Sequence, residues 1–371
     1  MEIKPILIDG FRFVDNLHTT ARQLPVFTTI AKTLHNKQLH KKILEQLIVE
    51  WSIHEEEKND MYKKSKGKVT NGDRRTAALR YHLESSPFIG LTKRYNDLYI
   101  NSKLSNVFTY LLLETNRDEH YYLIERIFYI YLLLVRDADG ILLCISEISN
   151  SSGKHQKTLQ DNFKNGLNKR LLSKQEFAPN NIKSIISEKY RSINFIWKKP
   201  EKYAEHIIAP RFEWLSYLGI VEIKRETKST IYSLTETGKS FYNNLPQILG
   251  EDNIKDINDL WINEQFFTFL DTLFRGNRLE FKNLPVEKQD TLLGTSLEHA
   301  MKAVHSSMSF KLPVVETFVY IAIESFLKGV ILNFFDIRIK LKKLFEYGNK
   351  TYLLKEAGRV NEGYITVNVQ R

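Results

Sequence analysis

A single cysteine in 371 residues, Cys144 within the apolar run GILLCISEI, rules out an intramolecular disulfide and a cysteine-based zinc site inside one chain. That usage fits a reducing, cytoplasmic setting. Long apolar runs are missing too. The greasiest stretch, residues 121–145, is broken by Glu125, Arg126, Arg136, Asp137 and Asp139, so a buried pair of helices is expected there and not a membrane span. The opening MEIKPILIDGFRF has no basic leader ahead of an apolar core, and no signal peptide is expected. Neither a P-loop, a dinucleotide-binding glycine pattern, a His-Glu-x-x-His zinc motif nor a Gly-x-Ser-x-Gly elbow occurs. The ten histidines offer no ligand pairing at helical spacing, since His35 and His40 lie five apart. No cofactor, metal site or catalytic residue is therefore assigned.

What is present is positive charge on a foldable chain. Lys and Arg number 54 against 44 Asp and Glu, a formal charge of +10, while 42% of the residues are hydrophobic. The second figure allows sizeable cores; the first favours an acidic partner such as nucleic acid. The pattern along the chain predicts a mainly α fold with small β-hairpin wings. Residues 1–34 form an N-terminal segment, 35–103 a first helix-and-wing unit, 104–175 a helical spacer, 176–247 a second unit, and 248–371 a helical region closing on a weaker third version. The polar stretch SNSSGKHQKTLQDNFKNG is the expected internal boundary.

In the first unit Leu39, Ile43, Leu47 and Trp51 repeat at helical spacing. The basic stretch 58–75 is expected to be a surface loop. A second helix, capped by Asn71 or Asp73, is expected to reach about Ser85, with Thr76, Leu79 and Leu83 inward. Arg74, Ala78, Tyr81 and His82 would then face outward, flanked by Arg75 and Arg80. The runs FIGLT and LYINS would form a hairpin around KRYND, which carries Lys93 and Arg94. Four basic groups in nine residues ahead of that hairpin mark the helix as a DNA-contacting candidate; the plain alternative is a solvated basic face.

In the second unit NNIKSIISEKY, PEKYAEHII and PRFEWLSYLG predict three short helices, with Pro200 and Pro210 at first-turn positions and Gly219 as a helix stop. Phe212, Leu215 and Leu218 are core candidates, leaving Arg211 and Glu213 with Tyr217 nearer the surface. Arg211, Lys224, Arg225 and Lys228 are the candidate DNA contacts, Glu213 and Glu222 oppose them, and Trp214 could stack on a base or pack between helices. In the third version Ile337, Leu341 and Leu344 would point inward, with Lys340, Lys342 and Lys343 outward as a candidate DNA-phosphate stripe or a solvated helix face, Arg338 at the side, and two strands around GRVNEG. The aromatic run DLWINEQFFTFLDTLF suits helix packing or a dimer surface.

The phrase WLSYLGIVEI…IYSLTETGKSF resembles the second half of a winged helix-turn-helix domain, through Leu218, Gly219, Ile220, Leu234, Thr235 and Gly238. The resemblance covers about forty residues, and the 71–103 segment more loosely, with Gly90 kept and the Leu-Thr-x-x-Gly close absent. It implies a recognition helix that enters the major groove and wing residues that touch phosphate or the minor groove. Residues 201–226 are also similar to winged helices in the DNA-recognition part of type IIS restriction enzymes.

These observations predict a double-stranded DNA-binding protein of tandem winged-helix units, with a protein partner or homodimer and no membrane. The expected role is recognition subunit of a prokaryotic restriction, phage-defence or mobile-element system. The alternatives are a transcription regulator or plasmid replication initiator, a Mg-dependent nuclease using Glu222-x-Lys224 or Glu280-x-Lys282, and a protein-binding scaffold.

Overall fold

The computed structural model describes residues 4–59, 62–63, 65–72, 74–114, 118–197, 199–227, 229–304, 310–357 and 362–369. The fold is mainly α-helical with small, mostly antiparallel sheets. The chain divides into two compact units, Met1–Ile100 with Tyr129–Asn258 and Asn101–Phe128 with Asp259–Arg371. No helix among the described residues is long and apolar enough to cross a membrane.

The first unit begins with α1 (Leu24–Thr33), β1 (Gln38–His40) and α2 (Lys41–Lys58). Leu44, Ile48 and Ser52, four apart, set the inward face of α2, while Ile43 and Leu47 stay exposed. Two short strands follow, β2 (Thr70–Asn71) and β3 (Arg74–Arg75), then α3 (Ala77–Ser85), β4 (Thr92–Tyr95) and β5 (Leu98–Asn101). The three longer strands lie in the order β1-β5-β4, so the first strand pairs with the far arm of the hairpin. Two expectations change here. Arg74 and Arg75 sit on a strand because Thr76, not Asn71, caps the helix: its hydroxyl accepts from the Ala78 amide (3.2 Å) and donates to the Lys68 carbonyl (2.5 Å). The hairpin turn is narrower than KRYND, with Lys93, Arg94 and Tyr95 in β4 and Asn96 taking a positive φ of 55°. Asp73 lies outside the described residues.

Beyond α4 (Lys103–Glu114) comes α5 (Asp118–Ser149), and the boundary between the compact units falls within α5. The expected pair of buried helices is this one helix bent at Asp137, whose φ of −140° is not helical. Next are β6 (Lys154–His155), α6 (Gln156–Phe177), α7 (Asn180–Ile196), α8 (Pro200–Tyr217), β7 (Val221–Arg225), β8 (Thr230–Leu234) and α9 (Glu236–Asn243). The order β6-β8-β7 repeats the arrangement of the first module. The polar boundary expected at 149–166 is instead filled by β6 and the start of α6, with Phe163 in the core. A two-stranded ribbon, β9 (Gln247–Ile248) with β10 (Glu251–Lys255), ends this unit.

The second module closes through contacts that are local in sequence. Gly219 takes a φ of 76°, its amide donates to the Ser216 carbonyl (2.9 Å) and that of Ile220 to Leu215 (2.8 Å), which ends α8. Thr235 caps α9: its hydroxyl accepts from the Gly238 amide (2.9 Å) and donates to the Gly219 carbonyl (2.7 Å). A Cβ at Gly238 would collide with the Ile220 carbonyl oxygen, so only glycine lets α9 sit this close to the start of β7. Phe212 stacks on Tyr232 with centroids 4.2 Å apart, joining α8 to the hairpin.

A buried ionic network fastens the N-terminal segment to this core. The bend frees Asp137 to accept from the Val14 amide (2.9 Å) and from Arg211 Nε (2.7 Å) and Nη2 (2.6 Å). Arg211 also donates to the Val14 and Ile207 carbonyls, at 2.7 and 2.8 Å. Two residues on, Asp139 accepts from the Arg12 amide (2.7 Å), Arg170 Nε (2.7 Å) and Lys174 Nζ (2.9 Å); Arg170 Nη2 donates to Asp256 (3.0 Å), which also forms an ion pair with Lys174 at 2.9 Å. Gly140 leaves room for the Arg211 guanidinium, which a Cβ there would strike. Burial pushes the Asp137 carboxyl above the usual carboxylate range, despite Arg211. Burial also opposes the charge on Asp139, but Lys174 and Arg170 outweigh it and hold that carboxyl low.

The second unit contains α10 (Asp259–Leu273), β11 (Leu279–Glu280), α11 (Val286–Val304), β12 (Lys311–Pro313), α12 (Val314–Leu327), β13 (Val330–Ile331), α13 (Phe334–Leu341), β14 (Phe345–Tyr347), β15 (Lys350–Glu356) and β16 (Gly363–Val369). The sheet order β12-β16-β15-β14 again pairs the first strand with the far hairpin arm. The expected strands around GRVNEG are present, and residues 358–361 lie outside the described residues. Asn333 and Asp336 form a reciprocal capping box that starts α13. The aromatics of α10 pack inward, with Phe266, Phe267 and Phe269 buried. Leu344, expected to face inward, is exposed because α13 ends at Leu341.

Candidate nucleic-acid interface

In the first module the exposed cations follow one another from β3 through α3 to β4. Arg74 is exposed and makes no ion pair among the described residues. Arg75, 52% exposed, lies 3.3 Å from Glu45. On α3 the solvent side carries Ala77 and Arg80, with Tyr81 and Glu84 half-buried beside them. Arg80 Nε donates to Glu84 Oε1 at 2.8 Å, and that bond keeps the guanidinium protonated even more firmly than usual. At the hairpin Lys93, Arg94 and Tyr95 are exposed; Arg94 Nε donates to the Asn96 carbonyl (2.7 Å) and its Nη2 lies 3.7 Å from Asp97. Lys93 has no ion pair among the described residues.

His82 does not belong to this set. Its ring is fully buried on the inward side of α3 with Ala78, Leu79 and Leu83. One ring nitrogen, Nδ1, bonds the Ala78 carbonyl (2.8 Å) and Nε2 accepts from the amide of Gln23, the residue that caps α1 (3.1 Å). Burial drives its pKa down to about 4, so the neutral ring is a structural strut and cannot meet DNA.

The second module corrects the sequence reading most. PEKYAEHII and PRFEWLSYLG are one helix with Pro210 inside it, and residues 207–215 are buried on all sides. Arg211, expected near the surface, has no exposure and is consumed by the Asp137 pair. Trp214 is equally buried and donates from Nε1 to the Ala21 carbonyl (3.1 Å), which removes it as a base-stacking candidate. Glu213 is buried as well, and accepts from Arg225 through both oxygens at 2.8 Å with Arg22 at 3.6 Å, so its charge is neutralised internally. Among the described residues of this hairpin Lys224 is the most exposed cation, at 73% and 3.6 Å from Glu226, while Arg225 is 39% exposed and held by Glu213. Lys228 lies outside the described residues.

In the third module Lys343 is exposed without an ion pair among the described residues, whereas Lys342 faces Glu356 (3.6 Å) and Lys340 is bound to Asp290 (2.7 Å). Arg338, expected at the side of the helix, is buried and paired with Glu356. The outer face of α13 is apolar, with Phe335 and Ile339 exposed and Leu344 just beyond. Of the nuclease-like triplets, Glu280 and Lys282 pair with each other at 3.1 Å. No group of three or more His, Cys, Asp or Glu among the described residues is arranged to hold a metal.

Sequence reasoning missed Glu45 and Glu84 as carboxylate partners of the arginines, Tyr95 as an exposed aromatic, and the Asp137–Asp139 network. The i,i+4 spacing of Arg80 and Glu84 was available as a signal. So were two aspartates inside an otherwise apolar run.

No family model and no curated protein matches the chain. A solved structure of the restriction endonuclease FokI bound to DNA aligns with all of this chain at a TM-score of 0.24 and 11% identity; the chain spans 63% of that one's length. A likeness this weak carries nothing over to this chain.

Proposed function

We propose that the protein binds double-stranded DNA, and that its three strand–helix–hairpin modules are winged-helix units of which the first is the principal site of DNA binding. One observation carries this reading: in the first module Arg74, Arg75, Arg80, Lys93 and Arg94 are exposed on consecutive elements leading into, along and out of α3, with Arg74 and Lys93 unpaired among the described residues. Exposed cations free of internal partners are what phosphate binding requires, because breaking an existing pair offsets part of the gain. The second module contributes through Lys224 on its hairpin, since α8 is enclosed. The role put forward for such a protein is recognition within a restriction, phage-defence or mobile-element system, with a transcription regulator or plasmid replication initiator as the alternative.

The third module favours a different use. An outer helix face of Phe335 and Ile339, with Leu344 adjacent, suits a protein surface better than a phosphate backbone, and Lys343 is its main accessible cation. The test of DNA binding is fluorescence anisotropy with a labelled duplex over a salt series. Replacing Arg74 and Lys93 by Ala should flatten the log-log slope by roughly 0.9 for each phosphate that the protein no longer neutralises. An unchanged slope would remove the first module from the interface.

A further inference from the structure

Arg80, like Arg94, makes its hydrogen bond through the inner nitrogen. Its Nε donates to Glu84 Oε1 at 2.8 Å, while Nη1 and Nη2 donate to no described residue and the side chain is 63% exposed. Its guanidinium carbon lies 5.4 Å from the centroid of the Tyr81 ring. That ring is itself stacked on His18, with centroids 3.3 Å apart and planes 3° from parallel. By contrast Arg75 uses Nη1 on Glu45, and Arg225 uses Nη2 on both oxygens of Glu213. Arg80 is therefore held by its inner nitrogen and lies beside the Tyr81 ring, with Nη1 and Nη2 hydrogen-bonded to no described residue.

That outer pair is the fork that matches guanine O6 and N7 in the major groove. The carboxylate decides between a base and a phosphate. A phosphate brought to Arg80 would also meet the negative charge of Glu84, whereas the neutral edge of a guanine would not. Arg80 lies one turn into α3, the region of a recognition helix that reaches base edges. We infer that Arg80 reads a guanine through its Nη1 and Nη2 groups, and that Glu84 is the positioning residue that holds the guanidinium for it. This rests on the duplex-binding reading above.

The test uses the full chain and a pool of duplexes with a randomised centre, sequencing the bound fraction at fixed salt and measuring affinity for the enriched duplex. The wild-type protein should enrich guanine at one position at least. Arg80→Ala should lose that preference and weaken binding to the enriched duplex by roughly 10-fold to 100-fold. Glu84→Ala should blur the preference, and Glu84→Gln, whose amide oxygen still accepts from Nε, should restore it. A guanine preference that survives in Arg80→Ala overturns the base contact, and one that survives in Glu84→Ala overturns the positioning role. Binding without any guanine preference also overturns the inference and leaves duplex binding standing, whereas no binding by the wild type removes both.

Discussion

Removing the carboxylate of Asp137 should unfold the first compact unit far more readily, because Arg211 would be left buried and unpaired. The guanidinium has no solvent exposure and makes two of its four hydrogen bonds to Asp137. Stripping one partner from a buried pair costs about 3–5 kcal/mol, and the Val14 amide loses its acceptor as well. For a unit of this size each kcal/mol moves the melting temperature by roughly 2–4 °C, so Asp137→Ala should melt about 6–20 °C lower. Scanning calorimetry or far-UV circular dichroism would record the shift. The double variant Asp137→Leu/Arg211→Met should recover part of the loss, since neither buried charge remains. Melting of Asp137→Ala within 1–2 °C of the wild type, on the order of 1 kcal/mol or less, would refute the buried pair. Weaker duplex binding by Arg211→Ala at unchanged stability would return Arg211 to the DNA-contacting set.

Two further outcomes follow from the same core. His82 has a folded pKa of about 4 against an ordinary 6.5, so as the pH falls the unfolded chain takes up the proton first. Its contribution is complete above pH 6.5 and is lost between there and pH 4, about 3 kcal/mol in all. Urea melts of wild type and His82→Gln across that window should show the steeper slope in the wild type, and parallel slopes would contradict the buried neutral ring. Gly238→Ala should destabilise the second module by about 1–3 kcal/mol. Alanine gains up to about 1 kcal/mol of helix propensity, but the colliding atom is a backbone oxygen that cannot rotate away, so a neutral or stabilising result would show that α9 can shift.

What the sequence made legible was set by the range of the interactions. The Leu218-Gly219-Ile220 stop and the Thr235 cap are settled by neighbours a few residues off, and the hairpins follow from them. Two-residue strands such as Arg74–Arg75 are too short to show a period, so the arginines read as helical. Pro210 read as a helix start because a proline inside a helix is costly, and here tertiary packing on all sides outweighs that cost. The burial of His82 and Arg211 depends on partners 59 and 74 residues away, which no local pattern reveals. A basic residue on a helix before a hairpin thus looks the same in sequence whether it serves the core or the solvent.

The most direct test of DNA binding through the first module is the salt dependence of duplex affinity for wild type and for the triple variant Arg74→Ala/Arg80→Ala/Lys93→Ala. DNA binding through the first module predicts a steep fall of affinity with salt in the wild type. The variant's slope should be shallower by as much as about 1.8, two phosphates at roughly 0.9 each for Arg74 and Lys93, with its melting temperature unchanged. Identical slopes and affinities in the two proteins would contradict it.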